Sequence, residues 1–212
     1  MSSSDISKLK KSNKEDLCGY ILSLRTKIEE LVSYQLIAKR VQMLERSHIS
    51  SLQYQRRPSI EISGIPASFD TKLEETCIEL LGDIGCGKIE PSEIHACHRL
   101  KNKNKTIIRF VNRKHADTAL HNKKKLEKID RKKYSLLPQD KGIFLNESLC
   151  RPMQFLAYKV RAALKAKKID SYNLWKGKLS IKMANQNYNI SHIDDLIELN
   201  LAEEDDRLSF IN

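Results

Sequence analysis

From Tyr20 to Arg57 the chain contains neither glycine nor proline. Nothing in such a stretch breaks or kinks a helix, and its apolar residues recur at helical spacing. Leu17, Ile21, Leu24, Ile28 and Leu31 follow a four-three-four-three rhythm, the seam of a coiled coil. Tyr34, Ile37, Val41 and Leu44 carry the stripe onward after a register slip, because ten positions instead of seven separate Leu31 from Val41. An insertion of three residues locally overwinds a left-handed coil. His48 and Leu52 extend the stripe weakly. Gly19 should fray the helix before Tyr20. An isolated helix needs packing to persist. The pattern therefore predicts either self-association through Leu17, Ile21, Leu24, Ile28, Leu31, Val41 and Leu44, or one amphipathic helix packed on its own domain. The coil is expected over 15–57. Residues 1–14, polar and with Lys8, Lys10, Lys11 and Lys14 among serines, read as a disordered basic tail.

Charge is sorted along the rest of the chain. The 212 residues carry a net +11, with a pI near 9.4. Residues 58–100 hold 3 Lys/Arg against 8 Asp/Glu, 101–141 hold 14 against 4, 142–190 hold 9 against 2, and the last 22 hold 1 against 7. Charge that served solubility alone would not need this sorting. A concentrated basic stretch is the footprint of a phosphate-backbone binder.

The five cysteines are odd in number and none is spaced C-x-x-C. Cys86 with Cys97-His98 is a poor zinc set, since a structural zinc takes four ligands at tighter spacing. Free thiols in a reducing compartment are expected. No signal peptide or transmembrane run is legible, so the expected location is cytoplasmic or nuclear, not secreted. The sequons at Asn146 and Asn189 then carry no weight.

The segment 58–147 reads β-α-β-β-α-β. Ser59–Ser63 alternates Ile60 and Ile62 inward with Ser59, Glu61 and Ser63 outward. Asp70 or Thr71 can cap a helix whose apolar face is Leu73, Cys77, Leu80, Leu81 and Ile84. Gly82, Gly85 and Gly87 end that helix and precede none, so they read as a C-terminal cap and not a phosphate loop. Strands at Glu93–Leu100 and Lys105–Val111 follow. Next come a helix at Arg113–His121 with Ala116, Ala119 and Leu120 inward, a basic loop Lys123–Lys133, and a short apolar strand Gly142–Asn146. This order predicts an RRM-like, ferredoxin-like sandwich. From 148 to 200 a helix near Pro152 buries Phe155, Val160, Leu164 and Leu156. A meander of Tyr172–Trp175, Leu179–Met183 and Tyr188–Ile190 turns at Lys176-Gly177, and Ser191 caps a closing helix. An acidic tail, 201–212, completes an α+β fold class.

An RRM stacks bases on aromatics of its first and third strands. Here Glu61, Ile107 and Arg109 occupy those slots, and Phe110 falls on the core face. Binding would then be chiefly electrostatic, with Arg109 able to stack its guanidinium on a base. Arg99, beside Lys101 and Lys105, reads either as a phosphate contact or as an edge arginine in solvent. The triplets Lys123-Lys124-Lys125 and Arg131-Lys132-Lys133 read as a nucleic-acid clamp, a nuclear-localisation signal or a solvated loop. Arg161, among Tyr158, Lys165 and Lys168, forms a helical ridge suited to phosphates, and Lys159 on the same basic helix is a further candidate contact. Trp175 is either a stacking residue or core. G-x-S-x-G, H-E-x-x-H and Walker sequences are absent, and no carboxylate set suggests a metal. No enzymatic role and no cofactor is expected.

Three blocks together resemble one family. The first is Gln53-Tyr54-Gln55-Arg56-Arg57 with Gly64-Ile65-Pro66. The second is Cys97-His98-Arg99-Leu100, a basic loop, and Ile107-Ile108-Arg109-Phe110. The third is Phe144-Leu145-Asn146-Glu147-Ser148-Leu149, a basic helix, and Trp175-Lys176-Gly177-Lys178. In this order they resemble the first-open-reading-frame proteins of LINE-type retrotransposons and the baculovirus few-polyhedra (FP) proteins, over about residues 15 to 198. The resemblance implies a coiled coil, an RRM-like domain and an FP-like C-terminal domain. It also implies self-association, single-stranded RNA or DNA as partner and nucleic-acid chaperoning in a ribonucleoprotein. Viral members instead have structural roles, which makes a scaffold acting through protein contacts the alternative. By resemblance, Arg56 and Arg57 lie at the coil junction and meet the RNA backbone, Arg99 and Arg109 face the strand, and Arg161 comes from the C-terminal domain. Three features depart from the family: Pro58 follows the paired arginines, Cys150 stands where a Thr helix cap is usual, and the coil is short.

Overall fold

The structure, a computed structural model, describes residues 3–101, 105–130, 133 and 142–211, with side chains placed from Cys18 to Phe210. The class is α+β, with a long N-terminal helix and antiparallel sheets. The chain divides into two compact units, Met1–Ser47 and His48–Asn212.

Helix α1 spans Ser3–Arg56. It thus includes residues 3–14, expected to be disordered, and Gly19 does not interrupt it. One glycine costs about 1 kcal/mol in a helix interior, which is small against propagation through 54 residues. In the first unit Ile21, Leu24, Ile28, Leu31, Tyr34, Ile37, Val41 and Leu44 are all exposed. The Leu17 side chain lies outside the described residues. The last turns of α1 belong to the second unit. Ile49 is buried there and Leu52 half-buried, in the cluster that includes Leu156 and Ile181. Leu52 therefore contributes to a core and does not extend the coil stripe.

Strands β1 (Ser59–Ser63), β2 (Ile94–Arg99), β3 (Lys105–Phe110) and β4 (Phe144–Glu147) form an antiparallel sheet in the order β2-β3-β1-β4. Ile60, Ile62, Ile108 and Phe110 of the sheet join one core with Leu80 and Leu81 of α2 (Leu73–Asp83) and Ala116 and Ala119 of α3 (Arg113–Asn122). Neither Asp70 nor Thr71 caps α2. A 3-10 turn at Ala67–Lys72 runs straight into it, so Lys72 takes the cap position without a side-chain bond. Gly85, at φ +82, follows its C-terminus as the glycine reading required. Asn112 caps α3, its side chain accepting from the Lys114 N–H at 3.0 Å.

The remainder is α4 (Arg151–Lys165), a meander of β5 (Ser171–Trp175), β6 (Lys178–Met183) and β7 (Gln186–Ile190), then α5 (Ile193–Glu198) and α6 (Asp206–Ile211). Helix α4 buries Met153, Leu156, Ala157, Val160 and Ala163, whereas Phe155 and Leu164 are only half-buried. Cys150 is its N-cap and makes no side-chain cap bond. His192, not Ser191, caps α5: its Nδ1 accepts from the Asp194 N–H at 3.3 Å. The acidic tail is folded and not free. Phe210 of α6 is buried, edge-on to His192 at 5.0 Å and tilted against Phe155 at 6.1 Å.

Candidate nucleic-acid interface

Side chains alternate across a strand, so register decides which basic residues can share a face. Ile62 pairs with Thr106, and Thr106 pairs with Arg99. Arg99 therefore falls on the helix side of the sheet, with Ile62. There its Nε donates to Asp70 Oδ1 at 2.6 Å, and its two terminal nitrogens donate to the carbonyls of Ile65 (2.6 Å) and Pro66. The side chain is 12 % exposed. Neither expectation for Arg99 holds: it is not in solvent, and its guanidinium clamps the Gly64-Ile65-Pro66 turn. Gly64 is needed in that turn, since at φ +97 a Cβ would stand 2.6 Å from the Gly142 carbonyl oxygen.

The opposite face carries three cross-strand rows. Phe144, Ser63 and Lys105 make one. Asn146, Glu61, Ile107 and His98 make the next, and Ser59, Arg109 and Ala96 the third. Lys105 and Arg109 are exposed, as expected. Glu61 and Ser59 point outward from the core as expected, yet both are buried. The chain leaving β4 covers them: Ser148 donates its hydroxyl to Glu61 Oε1 and its N–H to the Ser59 carbonyl, both at 3.4 Å. Glu61 Oε2 is 3.5 Å from Lys105 Nζ.

A cleft of about 520 Å³ opens between this face and the C-terminal elements, lined by Glu61, Lys105, Asn146, Glu147, Leu149, Gln154, Arg161 and Tyr172. Gln154, Tyr158, Arg161 and Lys165 fall within one narrow stripe of α4 by helical geometry, and all four are exposed. Arg161 Nε lies 3.4 Å from the Tyr172 hydroxyl, to which it donates. Both carboxylates of the cleft are occupied. Glu61 is held by Lys105 and Ser148, and Glu147 accepts from the backbone N–H groups of Lys176 (2.6 Å) and Gly177 (2.7 Å). Lys105, Arg161 and Tyr172 thus face a hollow whose acids have partners.

Not every predicted cation reaches it. Lys159 points away from the stripe: its Nζ is 2.6 Å from Asp206 Oδ1 and 5.6 Å from the Phe155 ring centroid. That pairing holds the Asp206 carboxyl below the usual aspartate range, helped by the Glu203 N–H. Lys133 reaches Asp83 at 3.0 Å and Glu79 at 3.9 Å on α2. Lys123, Lys124 and Lys125 are exposed on a 3-10 helix, Lys123–Lys128, anchored by buried Leu126. Lys123 and Lys124 line a second hollow, about 300 Å³, against β4, while Lys125 lies beside Gly85. Lys101 is exposed where β2 ends, and Arg131 and Lys132 lie outside the described residues.

Arg56 and Arg57 stand at the α1–β1 junction. Together with Ser59, Asp117, Glu147 and Lys176 they line a narrow crevice that shares Glu147 with the cleft. Arg57 lies 5.9 Å from the Tyr54 ring centroid, and its buried Nε has no hydrogen-bond partner among the described residues. Buried Gln53 locks this corner. Its amide nitrogen donates to the Ser148 carbonyl at 3.1 Å, and its oxygen accepts from the Cys150 N–H at 2.9 Å. The turn Lys176-Gly177 closes against it, and a Cβ on Gly177 would stand 2.5 Å from Gln53 Cγ. Trp175 is 36 % exposed, so the core alternative fails for it.

Sequence reasoning missed four site residues: Phe144, Asn146, Gln154 and Tyr172. Alternation with inward Ile143 and Leu145 was available to place Phe144 outward, and the seven-residue spacing from Arg161 was available for Gln154. Among the described residues there is no group of three His, Cys, Asp or Glu able to hold a metal. The five cysteines are free thiols. Burial pushes Cys86 up to about 11, and a hydrogen bond with Cys97 together with burial pushes Cys77 up further, so neither thiolate forms near neutrality. No described helix is long and apolar enough to cross a membrane. Compared with known proteins, the chain matches no family model and no curated protein.

Proposed function

We propose that the protein is a self-associating binder of single-stranded nucleic acid, RNA foremost, with a chaperone-like role in a retroelement-type ribonucleoprotein of the cytoplasm or nucleus. The cleft carries this reading, because Lys105 and Arg161 converge there from different elements, with Glu147 taken up by backbone N–H groups and Glu61 paired with Lys105 and Ser148. The β2-β3-β1-β4 order with both helices on one side supports an RRM-like account of 58–147. The α4-plus-meander arrangement supports an FP-like account of 148–200. Exposed Ile21, Leu24, Ile28 and Leu31 give the first unit a stripe that a second copy would bury. Association raises the number of binding sites per particle. Phosphate neutralisation by many weak, sequence-tolerant contacts then lets strands anneal and exchange.

A scaffold role through protein contacts is the second reading, favoured by Glu61 and Ile107 at the positions where stacking aromatics stand in an RRM. Fluorescence anisotropy of a labelled RNA across a salt series separates the two. On the proposed reading Arg161→Ala weakens every sequence alike and reduces the salt slope by roughly 0.7 to 1. An unchanged slope and affinity would remove the cleft from the account.

A further inference from the structure

Phe144 stands out among the large side chains of the second unit. It is 61 % exposed on edge strand β4, although its neighbours Ile143 and Leu145 are buried. A single exposed apolar residue is ordinary. Its surroundings are not ordinary. On one side it shares a cross-strand row with Ser63 and Lys105, and Lys105 lines the 520 Å³ cleft. On the other side Phe144 itself lines the 300 Å³ hollow with Lys123 and Lys124. Asn146, two residues along the same face of β4, lines both hollows. An exposed aromatic face thus lies between a hollow where Lys105 and Arg161 stand with the partnered Glu61 and Glu147, and one where Lys123 and Lys124 outnumber Glu127. The stretch that supplies Lys105, Lys123 and Lys124 holds 14 Lys/Arg against 4 Asp/Glu.

We infer that a single strand passes from the Lys105–Arg161 cleft over β4 into the Lys123–Lys124 hollow, with one base stacked on Phe144. This rests on the nucleic-acid reading above and gives it a path. Every base has a π-face, so a stacking ring is sequence-tolerant. Phosphates on either side of the stacked base meet Lys105 in one direction and Lys123 or Lys124 in the other. Asn146 can donate or accept at a base edge or ribose hydroxyl. The stacking function absent from β1 and β3 is thereby supplied from the sheet edge.

The test uses the full chain and a 30-nucleotide RNA carrying 2-aminopurine, whose emission falls on stacking, with Phe144→Ala, Phe144→Trp, Arg161→Ala and the pair Lys123→Ala/Lys124→Ala. Phe144→Ala should weaken binding roughly 5- to 100-fold with the salt slope unchanged and the 2-aminopurine quenching lost. Phe144→Trp should restore both. The lysine pair should weaken binding and reduce the slope by about 1 to 2. Thermal midpoints should stay put, since these side chains are exposed. If Arg161→Ala weakens binding while Phe144→Ala leaves affinity and quenching intact, the path over β4 is wrong and the nucleic-acid reading survives. If the wild-type chain binds no single strand, both fall.

Discussion

Two helices in this chain carry apolar stripes of similar composition and opposite fate. On α4, Leu156, Ala157 and Val160 are wholly buried. In the first unit, Ile28 and Leu31 of α1 are 59 % and 61 % exposed. The α4 stripe faces a three-stranded meander that supplies Leu179, Ile181 and Ile190. The α1 stripe has no sheet in its own unit. Burying each such side chain is worth about 1.5–3 kcal/mol, so α4 obtains within its own unit what the α1 stripe does not obtain within its own. The difference teaches that an apolar period predicts burial but not whose atoms do the burying.

The contrast can be broken most forcefully in the core. Leu156→Ala should destabilise the second unit by about 2–5 kcal/mol in urea denaturation, whereas Leu31→Ala should leave that unfolding transition unmoved. Charges introduced at Ile28→Asp with Leu31→Asp should weaken self-association at least about tenfold in sedimentation equilibrium and lower helix content by circular dichroism. A smaller effect separates the two arginines that the sequence placed together. Arg99→Ala leaves the Ile65 and Pro66 carbonyls without their donor and should cost about 1–3 kcal/mol. Arg109→Ala should cost almost none and should reduce RNA affinity instead. Smallest is a pH effect at the tail. The Asp206 pKa is lowered in the fold, so its pairing with Lys159 stabilises above the ordinary value of 3.8 and is lost as pH falls below it. Hydrogen-exchange protection in α6, taken relative to the intrinsic amide rate at each pH, should fall in that acid range, while α4 stays protected.

Element order was legible in the sequence because periods of 3.6 and 2 change at recognisable turns: β1, β2 and β3 fall within the stretches expected for them, β4 runs one residue past its expected end, and β5, β6 and β7 begin one, one and two residues early. What failed was cover and parity. Alternation placed Glu61 outward, but it could not reveal that Ser148 folds over it. Arg99 was judged by its place at a strand end, and only the pairing with Thr106 reveals its face. Lys159 looked like a further phosphate contact because the tail's net charge concealed Phe210, whose burial brings Asp206 to the lysine. Phe144 was hidden inside Ile143-Phe144-Leu145, which reads as a uniform apolar run. Arg161 and Lys165 stand exposed on one stripe of α4 because helical spacing alone sets their positions.

On the proposed function the second unit grips single strands in its cleft. Competition at about 150 mM salt between a labelled 30-nucleotide RNA and unlabelled duplex DNA of equal length tests it most directly. Unlabelled single strand should displace the label at far lower concentration than duplex, because on the proposed path a single strand can stack a base on Phe144 and a duplex cannot. Equal displacement by both would contradict it and leave only an unspecific attraction between a basic protein and a polyanion.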